Sequence, residues 1–285
     1  MVFAAVFALG GCTALQLGYN NAEVLARYMI HDYVELDPAQ NEDAKARLDT
    51  FHSWHRKSEL PPYIDLLKGA RSRFTRGVQT EDVTWGIAAV RERYRIVASR
   101  AAAEAAPVLA SLRPGQIDSI ERGLAGKNAK YAREFISGDE KKLHRARARR
   151  MFKTVEEWTG DLTPAQRERV ERFVREHATM TMLRFEDRQR WQRQALELVR
   201  TQRTAGALGP RLADVFANPD KGHSPQYRQE MRGWEQGLGQ LIVDLVRTLS
   251  PEQRAHVLKR VDKYTADLIE LSRGKGSRRE AGQAG

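Results

Sequence analysis

A five-residue pattern, L-x-P-x-Q, occurs four times in this chain, and each copy is suited to starting an α-helix. The copies are Leu36-Asp37-Pro38-Ala39-Gln40, Leu112-Arg113-Pro114-Gly115-Gln116, Leu162-Thr163-Pro164-Ala165-Gln166 and Leu249-Ser250-Pro251-Glu252-Gln253. Asp37, Thr163 and Ser250 can each accept a hydrogen bond from a free amide of the first turn. The proline falls at the first helical position, where no amide hydrogen is needed. The glutamine stands where its side chain can reach back and close a capping box, and the leucine can staple against the first turn. Arg113 is a poor cap, so the second copy is degenerate. Leu36 and Leu112 stand 76 residues apart, and Leu162 and Leu249 stand 87 apart. That spacing pairs the copies and suggests two duplicated helical halves, 21–159 and 160–273.

Apolar residues recur near the helical period of 3.6 through most of the chain. The spacing predicts helices over 21–34, 38–58, from Leu60 through Phe74, and from Thr80 to about Ala106, where Pro107 sets a limit. Further helices are predicted over 114–136, 140–159, 164–204, 226–248 and 251–273, the 164–204 helix long enough to form an exposed arm. Residues 206–225 read as a Gly/Pro-rich linker with at most a turn at Leu212 to Phe216, and 274–285 as a disordered tail. Strand patterns are lacking, so the fold class is all-α, a multi-helix bundle. A hydrophobic fraction of 41% supplies a core, and 30% charged residues with 10 prolines suit long amphipathic helices.

Residues Met1 to Gly11 carry no charge, and Cys12, the chain's single cysteine, follows at once. One cysteine excludes an internal disulfide and a multi-cysteine zinc site. An apolar run this short suits the core of a signal peptide rather than a membrane span. Leu9-Gly10-Gly11-Cys12 resembles the bacterial lipobox, which implies a signal peptide at 1–11, acylation of Cys12 and a tether over 12–20. The alternative is a buried free thiol on an apolar first helix. Thr13, where an inner-membrane lipoprotein tends to carry Asp, favours the outer membrane facing the periplasm.

Leu162-Thr163-Pro164-Ala165-Gln166 matches the L-T-x-x-Q motif and Leu249-Ser250-Pro251-Glu252-Gln253 nearly does. In this the chain resembles the Spy/CpxP-type periplasmic family, which implies a helical chaperone or envelope-stress module. The first two copies depart from the motif at the threonine, and the chain is about twice the usual length. The chain as a whole resembles an uncharacterised family of proteobacterial lipoproteins. The matching residues are Gly18-Tyr19-Asn20-Asn21, Asp32-Tyr33 before Leu36, Trp54-His55-Arg56 and Glu59-Leu60-Pro61. That second resemblance implies no activity.

Residues able to carry chemistry are sparse, and no enzyme and no cofactor are expected. His52 and His55, three apart with Asp49 or Glu59 near, supply two metal ligands where a closed zinc site takes four. The H-E-x-x-H pattern, a nucleophile elbow and a phosphate-binding glycine loop are missing. Asp32 with Glu35, or Glu186 with Asp187, could serve as acid and base, but in a chain with 37 acidic residues they read as a solvated face or as ion pairs. Basic residues form the clearer feature, with 48 Lys and Arg giving a net charge of +11. Lys141, Lys142, Arg145, Arg149 and Arg150 crowd one helix, and Arg184, Arg188 and Arg193 mark the next, with Phe185 and Trp191 interleaved. Export argues against nucleic acid as their partner. Phospholipid headgroups, lipopolysaccharide, peptidoglycan or acidic unfolded proteins fit an exported cationic face, and the alternative is a plain solvated face. The expectation is a lipid-anchored helical binding protein, chaperone-like, or else a structural envelope lipoprotein.

Overall fold

The computed structural model describes residues 14–274, and every element in it is helical. The first six helices are α1 (Ala14–Asn20), α2 (Ala22–His31), α3 (Pro38–Ser58), α4 (Leu60–Arg76), α5 (Thr80–Ala110) and α6 (Pro114–Phe135). They are followed by α7 (Glu140–Thr159), α8 (Pro164–Glu176), α9 (Thr179–Thr201), α10 (Ala205–Ala217), α11 (Pro225–Thr248) and α12 (Pro251–Arg273). The all-α expectation holds. No helix among the described residues is long and apolar enough to cross a membrane. Cys12, the segment 1–11 and the tail beyond Gly274 lie outside the described residues.

Each L-x-P-x-Q copy opens a helix: α3, α6, α8 and α12. The Asp37, Thr163 and Ser250 side chains accept the amides of Gln40, Gln166 and Gln253, whose own side-chain oxygens accept the cap amides in return. The glutamines then meet in pairs. Gln40 and Gln116 exchange side-chain hydrogen bonds of 3.2 and 2.8 Å, and Gln166 and Gln253 do so at 3.0 Å each way. Each glutamine also donates to the carbonyl just ahead of its partner's leucine: Ser111 and Glu35 in one pair, Thr248 and Asp161 in the other. Four buried amides thus pin two pairs of helix starts together. Arg113 gives no cap bond and instead donates to the cap residue of the first copy, Asp37, at 2.7 Å.

Two cores sit beside the two glutamine pairs. One gathers Val34, Ala102, Ala106, Leu112 and Ile117 with Leu196, Val199, Leu208 and Leu212. The other joins Ala148, Leu162, Val170, Phe173 and Val174 to Leu241 and Leu245. The first core draws residues from both sides of position 160, and α12 packs along α4.

The helix boundaries correct the sequence reading in five places. Residues 14–20, expected as a tether, form α1. The predicted 21–34 helix ends at His31. Pro107 does not stop α5, which runs three residues further to Ala110. The segment expected as a linker holds a thirteen-residue helix, α10, with Pro210 inside it. Each proline removes one backbone hydrogen bond. Burial of Leu208 and Leu212, neither with any exposed surface, offsets that loss. The predicted 164–204 arm is two helices broken at His177, and it is no arm. Val170, Met180, Leu183, Leu196 and Val199 are all buried. His177 turns its ring onto Phe173 and sits so close over Gly237 of α11 that a β-carbon there would lie 2.4 Å from Nε2.

Candidate functional site

A groove of about 860 Å³ opens between α4, α5, α7, α11 and α12. It lies towards the upper end of the roughly 300–1,000 Å³ typical of small-molecule sites. Its α5 wall is the stripe Val83, Ile87, Val90 and Tyr94, at spacings of four and three, which puts them on one helical face. Helix α7 contributes Met151, Val155 and Trp158, and α11 contributes Trp234, Leu238, Ile242 and Leu245. Phe74 and Trp85 close one side. Val90, Tyr94 and Trp158 remain 63%, 47% and 38% exposed, so the apolar surface continues to the mouth.

The threonine hydroxyls in the wall are engaged elsewhere. The Thr154 hydroxyl donates to the Arg150 carbonyl and the Thr159 hydroxyl to those of Val155 and Gly160. Charge gathers at the rim. The Arg73 guanidinium lies 3.6 Å from the Trp85 ring centre and pairs with Asp82, which also holds Arg76 and the Gln79 amide. Those bonds, led by the Gln79 amide, keep the Asp82 carboxyl below its ordinary value. Arg91 pairs with Glu235. Arg95 stands exposed with its nearest carboxylates, Glu92 and Asp220, both at 3.9 Å and beyond hydrogen-bonding distance.

The arginine-rich stretches meet beside this wall. Tyr131 packs on Phe135 and stacks on Phe185, while Arg150 lies over Phe135 and Arg188 over Tyr131. Arg188 also donates to the Asn128 side-chain oxygen, and Arg184 covers Trp234. Lys141, Lys142, Arg145 and Arg149 are exposed and form no ion pair among the described residues, as does Arg193. The rest of the second stretch is spent inside the fold. Arg190 pairs with Asp187, Arg200 with Asp118 and Glu121, and Arg203 donates to the Leu112 carbonyl.

A second polar cluster forms where α1 meets the α3–α4 junction. The Tyr19 hydroxyl is 2.9 Å from His55 Nδ1, and Tyr63 faces the other ring nitrogen at 3.5 Å. Arg56 donates to Asn20 and lies over the Tyr19 ring. Tyr19, Asn20, His55, Arg56 and Glu59, which carry the second resemblance, therefore converge although 40 residues of sequence separate their ends. Burial pushes the Tyr19 phenol up to about 12, raises Glu59 and lowers His52 and His55. Glu59 is 2% exposed, and its nearest cation is Arg93 at 3.6 Å. His52 packs against Tyr19 rather than turning to a ligand shared with His55. No group of three or more metal-ligating side chains stands together among the described residues.

Sequence reasoning missed the groove. Its stripes have the spacing of any buried helix face, and only the fold reveals that nothing among the described residues covers them. An all-helical protein with an open apolar groove and an arginine rim is the class that fold and site define. The chain belongs to a family of unknown function, DUF6279, whose profile matches residues 32–228. No curated protein and no solved structure matches it.

Proposed function

We propose that this protein is a lipid-anchored, periplasm-facing binding protein whose groove takes up an apolar ligand, acting without catalysis or a cofactor. The open groove carries the reading. Its apolar walls would gain roughly 25 cal/mol for each Å² removed from water, and no other part of the described residues covers them. Anchoring rests on Leu9-Gly10-Gly11-Cys12, and the outer membrane on Thr13. A Spy/CpxP-like chaperone would use the same surface for exposed segments of its clients. An environment-sensitive apolar dye should brighten on the protein and be displaced when the groove is filled by substitution. A dye that binds wild type and filled variant alike would sink the reading. Metabolic labelling with a fatty-acid analogue should mark the wild type and not Cys12→Ser.

A structural envelope lipoprotein that holds an anionic component is the second reading. The unpaired cations of α7 support it.

A further inference from the structure

Resting on the groove reading above, we infer that the occupant is a long-chain fatty acid, its acyl chain in the groove and its carboxylate on Arg95. Three observations carry this. The first is how few polar groups the walls offer: besides the Tyr94 hydroxyl and the indole N–H groups of Trp85, Trp158 and Trp234, they are apolar or already bonded. A polypeptide brings one N–H and one C=O per residue, and each costs free energy when buried without a partner. The groove's threonine hydroxyls are already bonded within α7, and its aspartates are held at the rim by arginines or histidine. A hydrocarbon chain asks nothing of such walls.

The second is Gly86. It lies inside the 31-residue helix α5 and lines the groove, where glycine costs roughly 1 kcal/mol of helix stability relative to alanine. Close packing accounts for Gly69, where a β-carbon would come within 3.0 Å of the Trp85 ring, while Gly115, Gly126 and Gly233 are as open as Gly86 but do not line the groove. At Gly86 a β-carbon would meet nothing within 4 Å. The missing side chain leaves the groove open instead of admitting a neighbour.

The third is the charge at the mouth. Of the rim arginines, Arg73 and Arg91 already serve Asp82 and Glu235. Arg95 is exposed, one residue from half-exposed Tyr94, and makes no hydrogen bond to its neighbouring carboxylates. Its ion pairs with Glu92 and Asp220 are long, and a ligand carboxylate that bound the guanidinium bidentately at hydrogen-bonding distance would compete with both.

The test uses the full chain carrying Cys12→Ser, with cis-parinaric acid as the fluorescent probe and Trp85, Trp158 and Trp234 as energy donors. Palmitate should displace the probe about ten-fold more tightly than hexadecanol, the increment of one charge-assisted hydrogen bond. Arg95→Ala should erase that ten-fold difference while leaving hexadecanol unchanged. Gly86→Leu should abolish probe binding while holding or raising the melting temperature, which separates a filled groove from an unfolded chain. Equal displacement by acid and alcohol, or an inert Arg95→Ala, overturns the fatty-acid assignment and leaves the groove reading standing. An apolar peptide that displaces the probe as well as palmitate overturns it in favour of polypeptide clients. Unchanged probe binding in Gly86→Leu overturns both.

Discussion

Gln166 is 1% exposed, and every polar atom of its side chain is spent. Its oxygen accepts the Thr163 amide and a bond from Gln253, and its nitrogen donates to Gln253 and the Thr248 carbonyl. Leucine at this position would orphan those partners, at about 1–3 kcal/mol for a buried group left unpaired. Gln166→Leu should therefore cost about 2 kcal/mol in urea denaturation. Gln166→Leu with Gln253→Leu should cost less than the two single losses added, because the partners share one network. Strict additivity would mean that the glutamines act only as separate caps. The cluster around His55 yields a second residue-scale expectation, with a sign. Burial holds His52 and His55 below the ordinary histidine value, so below about pH 6.5 the unfolded chain binds protons that the fold refuses. Stability from these groups is present above about pH 6.5 and lost as pH falls. Glu59 works in the opposite direction, since burial raises its carboxyl and the folded state keeps the proton more readily. Its contribution is present at low pH and lost as pH rises past the ordinary glutamate value of 4.5. Melting temperature should thus drop between about pH 7.5 and 5.5 and flatten in His52→Gln with His55→Gln, while Glu59→Gln should remove the opposing stabilisation that sets in as pH falls towards 4.5. A profile that neither substitution alters would refute the assignment.

Helix starts were the most legible elements, because a cap, a proline and a glutamine within five residues admit one local conformation. Helix interruptions were not. Nothing near His177 punctuates the sequence, and at the break His177 packs closely over Gly237, 60 residues further along the chain. Conversely, the glycines and prolines of 206–225 read as a linker, yet here small residues permit close approach. A β-carbon on Gly209 would lie 3.4 Å from that of Ala106, so α10 can press along α5. Local propensity therefore misjudged the element that fills the first core. Its weight can be measured: Leu208 has no exposed surface, and Leu208→Ala should cost about 2–5 kcal/mol through lost burial and the cavity left behind. A loss below about 1 kcal/mol in the same denaturation assay would show α10 to be a loosely held cover. The candidate site was illegible for a related reason. Val83, Ile87, Val90 and Tyr94 form a stripe that periodicity assigns to a core, and periodicity does not report whether a neighbour covers it.

At the scale of the molecule, apolar and cationic surfaces fall on one shared helix. Helix α7 lends Met151, Val155 and Trp158 to the groove and exposes Lys141, Lys142, Arg145 and Arg149 to solvent. Among the described residues, Arg147 is the one basic residue of that stretch paired with a carboxylate, through Glu140. With a net charge of +11, the chain has no surplus of acid to neutralise the rest. A membrane surface rich in anionic lipid attracts each such side chain by roughly 1 kcal/mol. The attraction is screened over about 8 Å at physiological salt. The Cys12→Ser protein should accordingly bind phosphatidylglycerol vesicles at low salt, release them at high salt and ignore phosphatidylcholine vesicles. Neutralising Lys141, Arg145 and Arg149 to Gln removes about 3 kcal/mol of that attraction, so affinity should fall by roughly two orders of magnitude. The same triple variant should keep its affinity for cis-parinaric acid, since none of the three lines the groove. Equal binding to both kinds of vesicle, or full retention on anionic vesicles by the triple variant, would return the α7 cations to a solvated face.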